Sequence, residues 1–169
     1  MRIFDGVVDV FKGQLYVVSD PWDIGPDLWA NFSGQANGLL GAATPGLLCL
    51  VTGVADGDVG FTVEVCEREP LLDGSWEDCV EASFSPATPV VMFVDLEGEA
   101  LSEIPLGEET YRVRYAAREM DAGHAGTAMD VYGLWFWPPP QAPDAVIRRT
   151  SKMADYLQAE QAHRNELGL

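Results

Sequence analysis

The sequence predicts an all-β fold: an antiparallel β-sandwich of about eight or nine strands, followed by one C-terminal α-helix. Three observations lead there. Short segments alternate apolar and polar residues with period two, as half-buried strands do. Glycines and prolines, 17 and 11 of them, punctuate the chain between those segments. Helical spacing of apolar residues occurs only in the tail. At 169 residues the chain is long enough to bury one core, so residues 1–149 are read as the sandwich. Residues 150–169 are read as a helix packed on it or extending from it.

The strands follow in order. Phe4, Val8 and Val10 open an alternating pattern that resumes at Leu15, Tyr16, Val17 and Val18, and the Lys12-Gly13 turn between them predicts a first hairpin. Residues 20–46 are irregular, with Trp22, Trp29 and Phe32 expected to pin the segment to the body. Leu47 to Thr52 is a continuous apolar run, a buried strand. Asp56-Gly57 is a hairpin signal before residues 59–66, where Phe61, Val63 and Val65 share one face and Thr62, Glu64 and Cys66 the other. Residues 79–84 turn Val80, Ala82 and Phe84 inward, and Val90 to Val94 follow Pro86 and Pro89. Tyr111, Val113, Tyr115 and Ala117 alternate with Arg112, Arg114, Ala116 and Arg118. The run 131–137 ends at Pro138-Pro139-Pro140 and carries Trp135, Phe136 and Trp137, read either as core or as an aromatic contact site. Thr150 or Ser151 caps the final helix, with Met153, Ala154, Leu157 and Gln161 at helical spacing.

The net charge of −17 disfavours nucleic acid and anionic membrane as partners and favours basic proteins. Its placement is uneven. Before Tyr111, Arg2, Lys12 and Arg68 face 20 acids, whereas the rest of the chain is balanced. Pairing 59–66 with 79–85 as a hairpin, Cys66 opposite Cys79, closes a 12-residue loop. That register sets Glu64 opposite Glu81 and adds Glu67, Glu69, Glu77 and Asp78 nearby. Three readings stay open: an acidic face for a basic partner, a face solvated or neutralised by Arg112, Arg114 and Arg118, or a cation site. In the same register Cys66 and Cys79 come within disulfide reach, and Cys49 reads as a core filler.

No catalytic motif is present: no G-x-S-x-G, P-loop, G-x-G-x-x-G after a strand or H-E-x-x-H. No cofactor or metal site is indicated, since CxxC is absent and only His124 and His163 are available. The start lacks a long apolar core and no stretch suits a membrane helix, so a cytoplasmic protein with reduced thiols is expected.

The runs GFTVEVCEREPLLDGSWEDCVEASF, YRVRYAAREMDAG and DVYGLWFWPPPQAPDAVIRRTS resemble a group of actinobacterial proteins without assigned function, from about Gly34 to Tyr156. This implies a bacterial, cytoplasmic protein. The order of FDGVVDVFKGQLYVVS, the Trp-containing link from Asp20 to Phe32, GQANGLLGAA, an apolar strand, and Leu106, Gly107 and Tyr111 is similar to the competence protein J family, inhibitors of the DNA-entry nuclease. That resemblance implies a β-sandwich that binds a nuclease without catalysis, and it assigns no inhibitory residue. The leading expectation is therefore a non-catalytic acidic inhibitor or immunity-like partner of a basic protein, a nuclease or toxin, with Glu64, Glu67, Glu69, Glu77, Asp78 and Glu81 as the contact. The alternatives are a ligand-binding or enzymatic sandwich with a pocket under residues 20–46, lined by Trp22, Trp29, Phe32 and His124, and a structural or assembly component.

Overall fold

A computed structural model describes residues 1–19, 27–107, 109–138 and 141–169. Trp22 lies outside the described residues. In chain order the elements are β1 (Arg2–Val10), β2 (Gln14–Val18), a 3-10 turn (Leu28–Phe32), β3 (Leu40–Gly41), β4 (Leu47–Val51), β5 (Gly57–Val65), β6 (Asp78–Phe84), β7 (Val90–Asp95), β8 (Ala100–Pro105), β9 (Tyr111–Arg118), α1 (Met120–His124), β10 (Val131–Trp137), β11 (Ala145–Arg148) and α2 (Lys152–Glu166). Eleven strands among the described residues exceed the eight or nine expected. The additions are β3, β8 and β11, which are short or lack apolar alternation and so carry no period-two signal.

Two sheets face each other. One has six strands in the order β1-β5-β10-β9-β6-β11, the other five in the order β3-β4-β2-β7-β8. Neighbours are antiparallel except β5 and β10, which run parallel. The inner faces meet through Phe61 and Phe93, ring centroids 4.8 Å apart, and Phe4 meets Phe93 edge-on at 5.6 Å. Tyr115 reaches across the gap and donates its hydroxyl to the Val51 carbonyl at 3.0 Å. Each large apolar side chain sealed there contributes on the order of 1.5–3 kcal/mol.

Two expected hairpins are corners instead. The Lys12-Gly13 turn is tight, with φ of 56° and 66°, but β1 belongs to one sheet and β2 to the other. Asp56-Gly57 likewise marks the passage from β4 into β5, which begins at Gly57, and the two strands lie in different sheets. The corners brace each other: Gly13 N donates to the Ala55 carbonyl at 2.7 Å, and Thr52 N to the Gly13 carbonyl at 3.0 Å. A turn signal marks where the chain reverses; it does not determine whether the returning strand joins the same sheet.

The outer face of the five-stranded sheet is covered. Phe32, fully buried, lies against Gly41, where a Cβ would come within 2.9 Å of the Phe32 ring. Trp29 and the Arg164 guanidinium stack at 3.4 Å. Helix α2 has the expected cap, since the Ser151 hydroxyl accepts from Ala154 N at 3.0 Å. It buries Ala154, Leu157, Gln158 and Gln161. Gln158 accepts from Gly38 N at 2.6 Å, and Gln161 donates to the Phe32 carbonyl at 2.8 Å. Two carboxylates anchor the start of α2. Asp78 accepts from Thr150 N at 2.7 Å, and Asp121 from Lys152 N at 3.0 Å and Met153 N at 2.9 Å. The hydrogen bond from Lys152 N, aided by that from Met153 N, holds the Asp121 carboxyl below its ordinary pKa.

Candidate protein-binding surfaces

The expected hairpin between 59–66 and 79–85 does not form. Strand β5 pairs with β1 and β10, and β6 with β9 and β11. Because β10 is parallel to β5 and β9 is antiparallel to both β10 and β6, strands β5 and β6 run in the same direction. Residues 66–77 must therefore travel the length of the sheet, and they do so across its outer face.

Arginines from that face hold the connector down. Arg114 donates to the Pro70 carbonyl at 2.7 Å and to Glu69 at 3.0 Å. Arg118 lies 4.7 Å over the Trp76 ring and donates to the Ser75 hydroxyl at 3.1 Å. Arg148 donates to the Trp76 carbonyl at 2.7 Å. Trp76 packs edge-on against Trp135 at 5.4 Å, over Cys79 and Ala116. Of the aromatic run before the prolines, Phe136 is core, Trp135 packs under the connector, and Trp137 is buried beneath the Arg114 guanidinium at 5.1 Å.

The cross-strand register then places Arg2, Glu64, Trp135, Arg114 and Glu81 in one row. Glu64 and Glu81 are separated by two strands, about 14 Å by strand spacing, rather than set opposite. Glu64 takes Arg2 at 3.1 Å and the Trp135 indole at 2.8 Å. Glu81 sits between Arg112 at 3.3 Å and Arg114 at 2.9 Å. Of the arginines named from the sequence, Arg112 and Arg114 thus neutralise Glu81, while Arg118 serves the connector and Glu64 is held by Arg2.

The six expected contact carboxylates divide accordingly. Glu81 and Asp78 are buried, 7% and 1% exposed, and belong to the interior. Glu64 is half-buried and engaged, and Glu77 accepts from Glu119 N at 2.7 Å. Glu67 and Glu69 remain exposed, Glu69 paired to Arg114. The disulfide reach of Cys66 and Cys79, conditional on that register, goes with it: Cys49, Cys66 and Cys79 are free, with two strands between β5 and β6. Burial pushes the Cys49 and Cys79 thiols up to about 12. Cys66, half-buried, is raised by burial and by Glu64. Native-state alkylation followed by mass spectrometry is expected to label Cys66 first, with Cys49 and Cys79 reacting only on unfolding. A Cys66–Cys79 disulfide after mild oxidation would contradict the strand order.

Acids that form no salt bridge among the described residues collect at another place. At the end of the sandwich where β1 finishes and β5 begins, Asp9 lies directly opposite Asp58, both exposed. Asp56 accepts from Lys12 N at 3.3 Å beside them. The β7–β8 turn reaches the same end, because Asp95 pairs with Leu15 at the start of β2. It carries exposed Glu97 and Glu99, whose amides donate to Asp95 at 3.0 and 2.9 Å. Asp9 and Asp58 were missed because alternation shows only that each points outward. It does not show that they face one another.

Of the described residues of the alternative pocket, Trp29 and Phe32 are in ring contact, centroids 6.0 Å apart, and His124 lines a neighbouring hollow. Phe32 is core, and Trp29 lines a hollow of about 240 Å³ with Lys12, Leu28 and Tyr156. His124 lines a hollow of about 590 Å³ with Asp121, Lys152, Met153 and Tyr156, the last shared with the Trp29 hollow.

The architecture defines the chain as a β-rich sandwich with a C-terminal helix, and solved structures are similar to most of it. One is "Crystal structure of ComJ, inhibitor of the DNA degrading activity of NucA, from Bacillus subtilis", with TM-score 0.62 and 13% identity over 82% of this chain and 98% of that one. Another is "Crocagin biosynthetic gene J", with TM-score 0.51 and 12% identity over 83% of this chain and 98% of that one. No family model matches the sequence, and no curated protein is significantly similar to it. At such identities the likeness establishes the fold.

Proposed function

We propose that this chain is a non-catalytic protein-binding module, an inhibitor or immunity-like partner of a basic protein, with a nuclease as the first candidate. The observation that carries the reading is the exposed acidic end formed by Asp9, Asp56, Asp58, Glu97 and Glu99. It sits on a sandwich whose fold is shared with a protein described as an inhibitor of a DNA-degrading activity. Fields from such a surface steer a cationic partner and accelerate encounter. The contact moves away from Glu64 and Glu81, because a carboxylate already held by arginines of its own chain presents little net field.

Capture on the immobilised chain at low and at high salt tests this. A basic protein retained at low salt, released at high salt and inhibited on binding is the expected result. Reversing Asp9, Asp58, Glu97 and Glu99 to lysine should slow its association about tenfold or more at low ionic strength. Retention that ignores both salt and these substitutions would refute the reading.

A further inference from the structure

We propose that the outer edge of β1 is a docking strand: an extended cationic segment of the basic partner adds to the six-stranded sheet beside it. This rests on the reading above and specifies its geometry.

Strand β1 ends the sheet order and is nine residues long. Its free backbone groups can be identified. Gly60 N donates to the Asp130 carbonyl and Cys66 N to the Phe136 carbonyl, so even-numbered residues of β5 face β10. Val65 N donates to the Met1 carbonyl, so odd-numbered residues face β1. The register pairs Val59 with Val8, Phe61 with Gly6 and Val63 with Phe4, which makes these the hydrogen-bonded pairs. The N–H and C=O groups of Asp5, Val7 and Asp9 therefore point off the sheet, and among the described residues nothing pairs with them.

The same three residues expose their side chains, Val7 by 59%. Acid, apolar, acid at two-residue spacing on one face fits an incoming strand that alternates a cation, an apolar residue and a cation on that face; Asp9 is the open acid, while Asp5 holds Arg2 at 3.1 Å in an exposed pair that an incoming cation shares or displaces. A cation opposite Asp9 also relieves the repulsion between Asp9 and Asp58. A second copy of this chain is the wrong occupant: antiparallel pairing about Val7 would set Asp5 opposite Asp9 twice. The segment from Phe4 to Val10 carries neither the lysine nor the proline that commonly blocks an edge, so outward acids alone select what may pair.

The probe is a short capped peptide, Thr-Lys-Thr-Val-Thr-Lys-Thr, and its counterpart with Glu in place of Lys, read by amide hydrogen exchange. The Lys peptide should slow exchange at Asp5, Val7 and Asp9 about tenfold or more at saturation, and the Glu peptide should not. Val7→Pro removes one outward N–H and no bond to β5, so it should abolish this protection. The double substitution Asp5→Lys with Asp9→Lys, which leaves the backbone alone, should weaken binding about fivefold or more. Lys-peptide binding that protects other amides and ignores both variants overturns edge addition while leaving the acid-directed reading intact. No binding at all also overturns edge addition, and the salt-dependent capture then decides the broader reading separately. Concentration-dependent protection of the same amides without peptide overturns it in favour of self-association.

Discussion

Replacing Glu81 by alanine is expected to destabilise the protein by about 3–5 kcal/mol, measured as a loss in urea unfolding free energy. The carboxylate side chain is 9% exposed, and its two partners, Arg112 and Arg114, are 10% and 5% exposed. Removing it leaves two guanidinium groups close together in a poorly hydrated layer. Each retains other acceptors, Ala142 carbonyl at 3.0 Å for Arg112 and Pro70 carbonyl and Glu69 for Arg114, which pulls the loss toward the lower end. Glu69→Ala is the control. It breaks an ion pair to the same Arg114, but its carboxylate side is 64% exposed, so a loss of about 0–1 kcal/mol is expected. Equal losses for the two would mean that Glu81 is not the buried centre of the network. Association with a basic partner should be nearly insensitive to Glu81→Ala in protein that remains folded, which separates the interior acids from the exposed ones.

Gly38→Ala is expected to cost about 3 kcal/mol and to loosen α2. A Cβ at Gly38 would collide with the Leu157 carbonyl oxygen, a backbone atom of the helix that no rotamer can move aside. The helix must back away, and the bonds from Gly38 N to Gln158 and from Gln161 to the Phe32 carbonyl stretch with it. Limited proteolysis should release the C-terminal segment faster, alongside a lower unfolding temperature. Gly74→Ala, in the connector with open space around it, should be neutral. If both glycines tolerate alanine equally, α2 does not rest on the 35–39 segment as described.

Individual strands were legible where burial imposes a clear period. The run Leu47–Val51 is buried on both faces, and β9 sends Tyr111, Val113, Tyr115 and Ala117 into the core as its alternation predicts. The helix was legible from its cap and its spacing. Strand neighbours were not legible. The Glu64 to Glu81 distance depends on β9 and β10 entering between β5 and β6, from far along the chain. Of the predicted contact residues, Glu67 and Glu69 stayed on the surface, whereas Asp78 became a helix anchor. The Asp9–Asp58 pair depended on a β1–β5 ladder that no local turn announces.

By itself the sequence determined that the chain builds half-buried strands, reverses at particular turns, ends in a capped helix and carries far more acid than base. These are local properties: period, backbone permissiveness and charge count act within a few residues. Only the tertiary structure decided which carboxylates keep their charge for a partner. Neutralisation is a matter of neighbours, and the neighbours of β5 and β6 come from strands three to five places away in the chain.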